Sequence, residues 1–156
     1  MHAQTPVQIA WVTTDLGATE GALTTLLGAR KWIRVPDVHF GPDTCTYRGR
    51  PADFTAHISF SYAGDTQLEL IEPVSGDSVY SEFLDRAGPG LHHICREVDD
   101  VEAAVRSAEV VQRGTMPGGM EFAYVSAETA GVPYIEIAHI PPAIRAFFDH
   151  VKQEQQ

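Results

Sequence analysis

The sequence passes twice through one order of secondary-structure patterns, and this repeat limits the possible folds more than any other feature. In each half, an alternating stretch rich in β-formers predicts a strand, and an acidic N-cap residue precedes a helical pattern. Gln8 precedes the cap residue Asp15 by about the same interval as His93 precedes Asp100. Near the end of each half, QLELI matches YIEIA. Duplication of one module is the economical explanation.

The strands after each helix predict the rest of the module. DFTAHISFSYAG and TQLELIEP predict two strands joined by a tight turn, and EFAYVSAE and VPYIEIAHI predict a second pair. Residues 35–51 predict a polar arm punctuated by Pro and Gly. We therefore predict an α+β fold in which each half is βαββ or close to it, with two sheets that curl toward a common cleft. The expected bounds within a single domain of residues 1–156 are about 5–74 for module one, 77–87 for a connecting helix, 90–140 for module two and 142–153 for a C-terminal helix.

Composition excludes several classes of protein. A formal net charge of -10 argues against nucleic-acid binding, because phosphates must be met by Lys and Arg. No window approaches the roughly 20 apolar residues of a membrane span, and we expect a cytoplasmic protein without a membrane partner. Cys45 and Cys95 are too few for a disulfide framework and predict free thiols. Five of the eleven basic residues lie between residues 30 and 50, where they predict either steering of an anionic small molecule or a solvated basic loop.

Strand alternation brings four ligand-capable side chains to equivalent faces of equivalent strands. Successive side chains of a strand point to opposite faces, so Gln8, Glu69, His93 and Glu136 all point away from the helices. The same alternation places His92 on the packed, helix-facing side. Any of the four residues alone is more often solvated, paired or packed than bound to a metal, but their joint register favours a metal site. One nitrogen and three oxygen donors suit one divalent ion of Mg, Mn, Co, Ni or Zn.

Three motifs resemble the vicinal oxygen chelate superfamily, and most closely its methylmalonyl-CoA epimerase members. These motifs are TQLELIEP, FLDRAGPGLHHICREVDDVEAAV and GVPYIEIAH, and they span nearly the whole chain. The resemblance implies two paired βαβββ modules that form a curved mixed sheet around a central cleft. It also implies that Glu69, His93 and Glu136 occupy three metal-ligand positions. Gln8 occupies the fourth, where the epimerases usually carry His and glyoxalase I carries Gln.

The resemblance implies a metal-dependent isomerase or epimerase that acts on a small acyl-CoA or a related carbonyl compound through a stabilised enolate. Glu136 is one expected acid/base group. His57 is the other candidate, since it falls about where the epimerases carry a catalytic carboxylate and shares a predicted inward face with Ser59 and Ser61. The expected partner is a small molecule, either anionic or a CoA thioester, and we expect a homodimer. A glyoxalase I-like lyase and a non-catalytic binding protein of the bleomycin-resistance type remain alternatives.

Overall fold

A mixed sheet of ten strands curls into a half-barrel in the computed structural model, which describes residues 4–156. The strands are β1 (Pro6–Val12), β2 (Ile33–Phe40), β3 (Cys45–Tyr47), β4 (Arg50–Pro51), β5 (Phe54–Ala63), β6 (Thr66–Ser75), β7 (Gly90–Glu97), β8 (Val110–Thr115), β9 (Glu121–Ser126) and β10 (Tyr134–His139). The helices are α1 (Leu16–Leu27), α2 (Val79–Ala87), α3 (Val101–Ala104) and α4 (Pro142–Gln153), with a 3₁₀ turn at Glu128–Ala130. None of these helices in the described part of the chain is long and apolar enough to span a membrane.

The strand order confirms the predicted pair of modules. The order β2-β5-β6-β1-β7-β10-β9-β8-β3-β4 places β1 and β7 side by side and antiparallel at the centre. β6 runs parallel to β1, and β10 runs parallel to β7. Each half therefore repeats the same four strands outward from the centre, and the β3–β4 hairpin of the first half extends the edge of the second through β8. The predicted α+β class is confirmed.

The segment predicted as a polar arm contains regular structure instead. It holds most of β2 and the short hairpin of β3 and β4, and β8 is a further strand that the sequence pattern did not predict. Pro36 and Asp37 interrupt the alternation of β2, where the pairing with β5 shifts register and Asp37 has a φ of 52°. Proline is tolerated because β2 is an edge strand. Val38 and Phe40 beyond the interruption are buried, which explains why the segment folds onto the sheet.

Two layers cover the faces of the sheet. On the outer face, Leu70 packs with Leu16 and Leu23 of α1, and Ile137 packs with Val101 of α3. α3 is shorter than the helical pattern predicted for residues 100–110. On the inner face, aromatic side chains from β2, β5 and β9 meet α2 and α4. Phe40 and Phe54 stack there with ring centroids 4.6 Å apart.

Candidate metal centre and cavity

The four predicted ligands lie on four neighbouring strands at the centre of the sheet. Gln8 and His93 come from β1 and β7, and Glu69 and Glu136 come from β6 and β10. All four are buried, with exposed fractions between 0 and 7%. The strand registers bring them together because the parallel pairs β1–β6 and β7–β10 keep a regular register at the ligand positions. The sequence prediction of their convergence therefore agrees with the structure.

The donors surround the Nε2 atom of His93. Gln8 Oε1 lies 3.2 Å from it, Glu69 Oε1 3.4 Å and Glu136 Oε1 3.9 Å. A chain of amides fixes the orientation of the Gln8 side chain. Gln8 Nε2 donates to Gln67 Oε1 over 2.6 Å, and Gln67 Nε2 donates to the Tyr62 hydroxyl over 3.2 Å. The carbonyl oxygen of Gln8 is consequently the atom that faces the cluster.

Each carboxylate of the cluster has one buried oxygen without a hydrogen-bond partner in the part of the chain that the structure describes. Glu69 Oε1 and Glu136 Oε1 have no hydrogen-bond partner among the described residues. Burial raises the pKa of Glu69 to about 8. Burial and the nearby charge of Glu69 also raise the pKa of Glu136, and the Cys95 and Tyr124 side chains oppose this rise. Desolvation lowers the pKa of His93 to about 4, so this imidazole is neutral at neutral pH.

This donor set fits a divalent cation. Unpaired buried carboxylates are costly, and a cation bound between them would satisfy both oxygens at once. Within residues 4–156, no three His, Cys, Asp or Glu side chains by themselves are already arranged to hold a metal ion. The fit therefore depends on the Gln8 carbonyl as a fourth donor and on the two unpartnered carboxylate oxygens.

A bulge in β7 brings both adjacent histidines to one side of the strand. Trp11 pairs with Leu91 and Ala10 pairs with His93, so His92 is an extra residue between them. His92 Nδ1 lies 2.8 Å from His93 Nδ1, and both rings contact Tyr124. The prediction that alternation separates the two side chains is wrong, because the bulge interrupts the alternation. His92 is nevertheless packed, as expected, against Tyr80 and Phe83 of α2.

A cavity of about 620 Å³ opens beside the cluster. Glu69 and Glu136 form part of its wall, together with Tyr80 and Tyr124, whose hydroxyl groups lie 2.6 Å apart. Most of the remaining wall is apolar, including Phe40, Ile58, Phe60, Met120, Phe122 and Phe148. Sequence reasoning missed both tyrosines. Tyr124 shares a strand face with Phe122 and could have been found by alternation, whereas no pattern in α2 singles out Tyr80.

The structure does not bring His57 to this cavity. His57 does share a face of β5 with Ser59 and Ser61, as predicted, but Ile58 and Phe60 on the other face are the residues that line the cavity. Ser59 on the His57 face donates to Glu20 of α1. His57 Nδ1 accepts a hydrogen bond of 3.0 Å from the Asp37 backbone N–H, in a surface depression with Arg34 and Glu72.

The basic segment between residues 30 and 50 is largely neutralised by acidic side chains. Lys31 pairs with Glu154 at 3.4 Å, Arg34 with Glu20 at 2.6 Å, and Arg48 with Glu82. None of the basic residues between 30 and 50 lines the cavity. Cys45 and Cys95 are both free and buried, as the composition predicted.

Comparison with known proteins identifies the family. The family model described as the Glyoxalase/Bleomycin resistance protein/Dioxygenase superfamily matches residues 7–124, which is more than half of the chain. The chain belongs to this superfamily. Two named relatives within short matches are the mitochondrial methylmalonyl-CoA epimerase of Bos taurus and the ethylmalonyl-CoA/methylmalonyl-CoA epimerase of Cereibacter sphaeroides. The Bos taurus protein is 39% identical over 62 residues, which cover 36% of this chain and 35% of that protein. The Cereibacter sphaeroides protein is 39% identical over 61 residues, which cover 36% of this chain and 45% of that protein. The matches thus span less than half the length of each relative.

Solved structures of the superfamily show the same fold. Methylmalonyl-CoA epimerase from Mycobacterium tuberculosis has a TM-score of 0.63 at 21% identity, covering 94% of this chain and 97% of that chain. A Streptomyces coelicolor methylmalonyl-CoA epimerase in complex with 2-nitronate-propionyl-CoA has a TM-score of 0.53 at 18% identity, covering 88% and 98%. At these identities the likeness establishes the superfamily fold and leaves the reaction to be argued from the site.

Proposed function

We propose that the protein is a divalent-metal-dependent epimerase or isomerase of a CoA thioester or a related carbonyl compound. One observation carries the proposal. Two buried carboxylates, each with one oxygen that has no hydrogen-bond partner among the described residues, converge with an imidazole and an amide carbonyl at the wall of a cavity large enough for a small-molecule substrate. The names of the relatives support the reaction class, since they are epimerases of malonyl-type CoA thioesters.

Gln8, Glu69, His93 and Glu136 would hold the metal ion. When bound, a divalent cation supplies Lewis-acid stabilisation for the negative charge that develops as a carbonyl compound becomes an enolate, an effect of several kcal/mol. The protein contributes the orientation of the donors. The Gln67 amide holds the Gln8 carbonyl toward the cluster.

Glu136 is the proposed proton acceptor. Its carboxylate lines the cavity and burial raises its pKa, which makes it a stronger base than an exposed glutamate. Epimerisation also requires a proton to return on the opposite face of the carbon. Besides the metal ligand Glu69, the buried protic side chains in the cavity wall are Tyr80 and Tyr124, and we propose that the returning proton comes from one of these hydroxyl groups. His57 has no place in this proposal because it lies on the other face of β5.

Metal content and proton exchange test the proposal together. We expect about one divalent ion per chain after reconstitution, and incorporation of solvent deuterium at the carbon next to the thioester in a panel of chiral 2-substituted acyl-CoA compounds. Absence of exchange throughout the panel would remove the epimerase assignment. Turnover of a glutathione hemithioacetal would then indicate the glyoxalase-like lyase, and tight ligand binding without metal would indicate the binding protein.

The predicted homodimer and the cytoplasmic location stay predictions. Sedimentation equilibrium at several protein concentrations measures the first, and fractionation of the source cells measures the second.

A further inference from the structure

We propose that the group of the substrate that fills the cavity is uncharged and apolar, such as a branched or aromatic acyl substituent, and that it carries no free carboxylate. This inference rests on the proposed function for the reaction, but it specifies the substrate class from the chemistry of the cavity wall.

The wall offers apolar contacts and no cation. Aromatic and aliphatic side chains from the edge strand β2, from β5 and β9 and from α4 supply most of the surface, among them Val38, Phe60, Ile144 and Phe147. Within residues 4–156, no Lys or Arg side chain lines the cavity. A substrate carboxylate buried in such a cavity would lose its hydration without gaining a charged partner from the protein wall.

The charge of the candidate metal centre does not supply the missing cation. An amide carbonyl and an imidazole bind a cation as neutral donors, so Gln8 and His93 add no charge, while Glu69 and Glu136 each contribute one negative charge when they bind a cation. A divalent ion held by this set is therefore formally neutralised by the protein. A substrate carboxylate added to this centre would leave one uncompensated negative charge in an apolar environment.

The entrance reinforces the discrimination. Asp37 and His39 are the polar residues of β2 that line the cavity, and both are exposed. Asp37 is acidic, and His39 Nε2 lies 2.6 Å from the carboxylate of Asp53. Two basic side chains of the elements that line the cavity form ion pairs outside it: Arg34 of β2 pairs with Glu20, and Arg145 of α4 pairs with Glu97. An anionic acyl group thus meets acidic or neutralised groups on its way into the cavity.

The volume of the cavity allows larger apolar substituents than a methyl group. Each additional buried methylene contributes about 0.8 kcal/mol, equivalent to about a fourfold gain in binding. We therefore expect kcat/KM to rise with the length of an apolar 2-substituent until about 620 Å³ is filled.

A matched pair of thioesters provides the test. In 2-methylbutanoyl-CoA an ethyl group replaces the carboxylate of methylmalonyl-CoA, and the CoA portion is the same, so a difference reports on the acyl group. We expect α-deuterium exchange with at least about a tenfold higher kcat/KM for 2-methylbutanoyl-CoA, and a further rise for 2-methylhexanoyl-CoA. A preference for methylmalonyl-CoA would overturn this inference while leaving the epimerase proposal standing.

Direct binding measurements distinguish a failure of this inference from a failure of the epimerase proposal. Calorimetric titration of both thioesters into metal-free and metal-loaded protein should show the same preference for 2-methylbutanoyl-CoA, whether or not exchange occurs. Exchange with neither compound would remove the epimerase proposal, and the binding preference would still decide this inference. Equal affinities or tighter binding of methylmalonyl-CoA would overturn it.

A charge introduced at the cavity wall sharpens the test. Met116 lines the cavity and is half-buried, so Met116→Lys adds a cation where Met116→Gln adds only polarity. We expect Met116→Lys to shift the preference toward methylmalonyl-CoA on the order of tenfold relative to Met116→Gln. An unchanged ratio in Met116→Lys would contradict the role assigned to the missing cation.

Discussion

The two halves of the candidate metal centre share one backbone register and differ in the groups around their ligands. In module one, Gln8 pairs with Gln67 and Ala10 pairs with Glu69. In module two, the equivalent pairs are His93 with Tyr134 and Cys95 with Glu136. Ligand positions therefore repeat through the duplication, whereas the neighbours of each ligand have diverged.

The divergence gives the two glutamates different electrostatic environments. Burial alone raises the pKa of Glu69 to about 8. The pKa of Glu136 is also raised by burial, but the Cys95 thiol and the Tyr124 hydroxyl favour its charged form. The module-two carboxylate is consequently the better candidate for a base that must be ionised near neutral pH, and the module-one carboxylate the better candidate for a ligand alone.

Replacement of the two glutamates should separate these roles most strongly. We expect Glu136→Gln to lower α-deuterium exchange at saturating metal by about 10²- to 10⁴-fold, because the base is lost while the shape and an oxygen donor remain. Glu69→Gln should retain most of the exchange once metal is saturating. The measurement is exchange rate against metal concentration for both variants. Equal losses at saturating metal would show that the two modules contribute alike.

The contact between His92 and His93 offers a second test of the difference between the two modules. His93 contacts the His92 ring through Nδ1, whereas Gln8 is held by the amide of Gln67. His92→Phe keeps an aromatic side chain among Tyr80 and Phe83 but removes the nitrogen that fixes the His93 ring. We expect a 10- to 100-fold loss of metal affinity, measured by competition with a chelator. The variant His92→Asn, which restores a polar group, serves as the control, and unaltered affinity in His92→Phe would argue against this orienting contact.

The pH dependence of stability tests the environment of Glu69. The folded pKa of about 8 lies above that of an unfolded glutamate, so the folded state binds the proton more tightly and stability decreases as the pH rises toward 8. His93 has the opposite sign, with a folded pKa of about 4, and destabilises the protein as the pH falls below about 6.5. Between pH 6.5 and 8, the titration of Glu69 is therefore the main contribution to the pH dependence of stability.

We expect metal-free protein to gain about 1 kcal/mol in its free energy of unfolding when the pH is lowered from 8 to 6.5. Urea denaturation at a series of pH values measures the slope. Glu69→Gln should flatten it, and a wild-type slope of zero or of the opposite sign would contradict the assigned environment.

The smallest expected effect concerns the two faces of β5. His57→Gln should leave exchange within about twofold of wild type, because His57 faces α1 and the surface rather than the cavity. Ile58→Ala, on the adjacent cavity-lining face, should reduce the affinity for an apolar substrate by about tenfold or more. Thioester titrations with both variants make the comparison. A large loss of exchange in His57→Gln would show that this residue does contribute to the site.

Regular alternation explains which parts of the site the sequence could predict. Gln8, Glu69 and Glu136 lie in strands that keep their register around the ligand, so a period of two places each side chain correctly. The duplication adds a check that a single strand lacks, because equivalent positions must face the same way. The family resemblance pointed to the same residues.

Features that depart from regular alternation could not be predicted from the sequence. The bulge at His92 adds one residue to β7 with no glycine or proline at the bulged position itself, and the interruption at Pro36 and Asp37 hides β2. Tyr80 reaches the cavity from a helix whose placement depends on tertiary packing. For His57 the pattern predicted its companions on the strand but not which layer that face meets, since alternation defines two faces without saying which one is the cavity.

Metal content of the purified protein tests the central claim most directly. After removal of bound metal by a chelator and reconstitution with a single divalent ion, elemental analysis should find about one ion per wild-type chain. The combined variant Gln8→Ala and His93→Ala should retain none after the same dialysis. Wild-type protein without stoichiometric metal, or a combined variant that binds as much as wild type, would contradict the assignment of these four side chains to a metal centre.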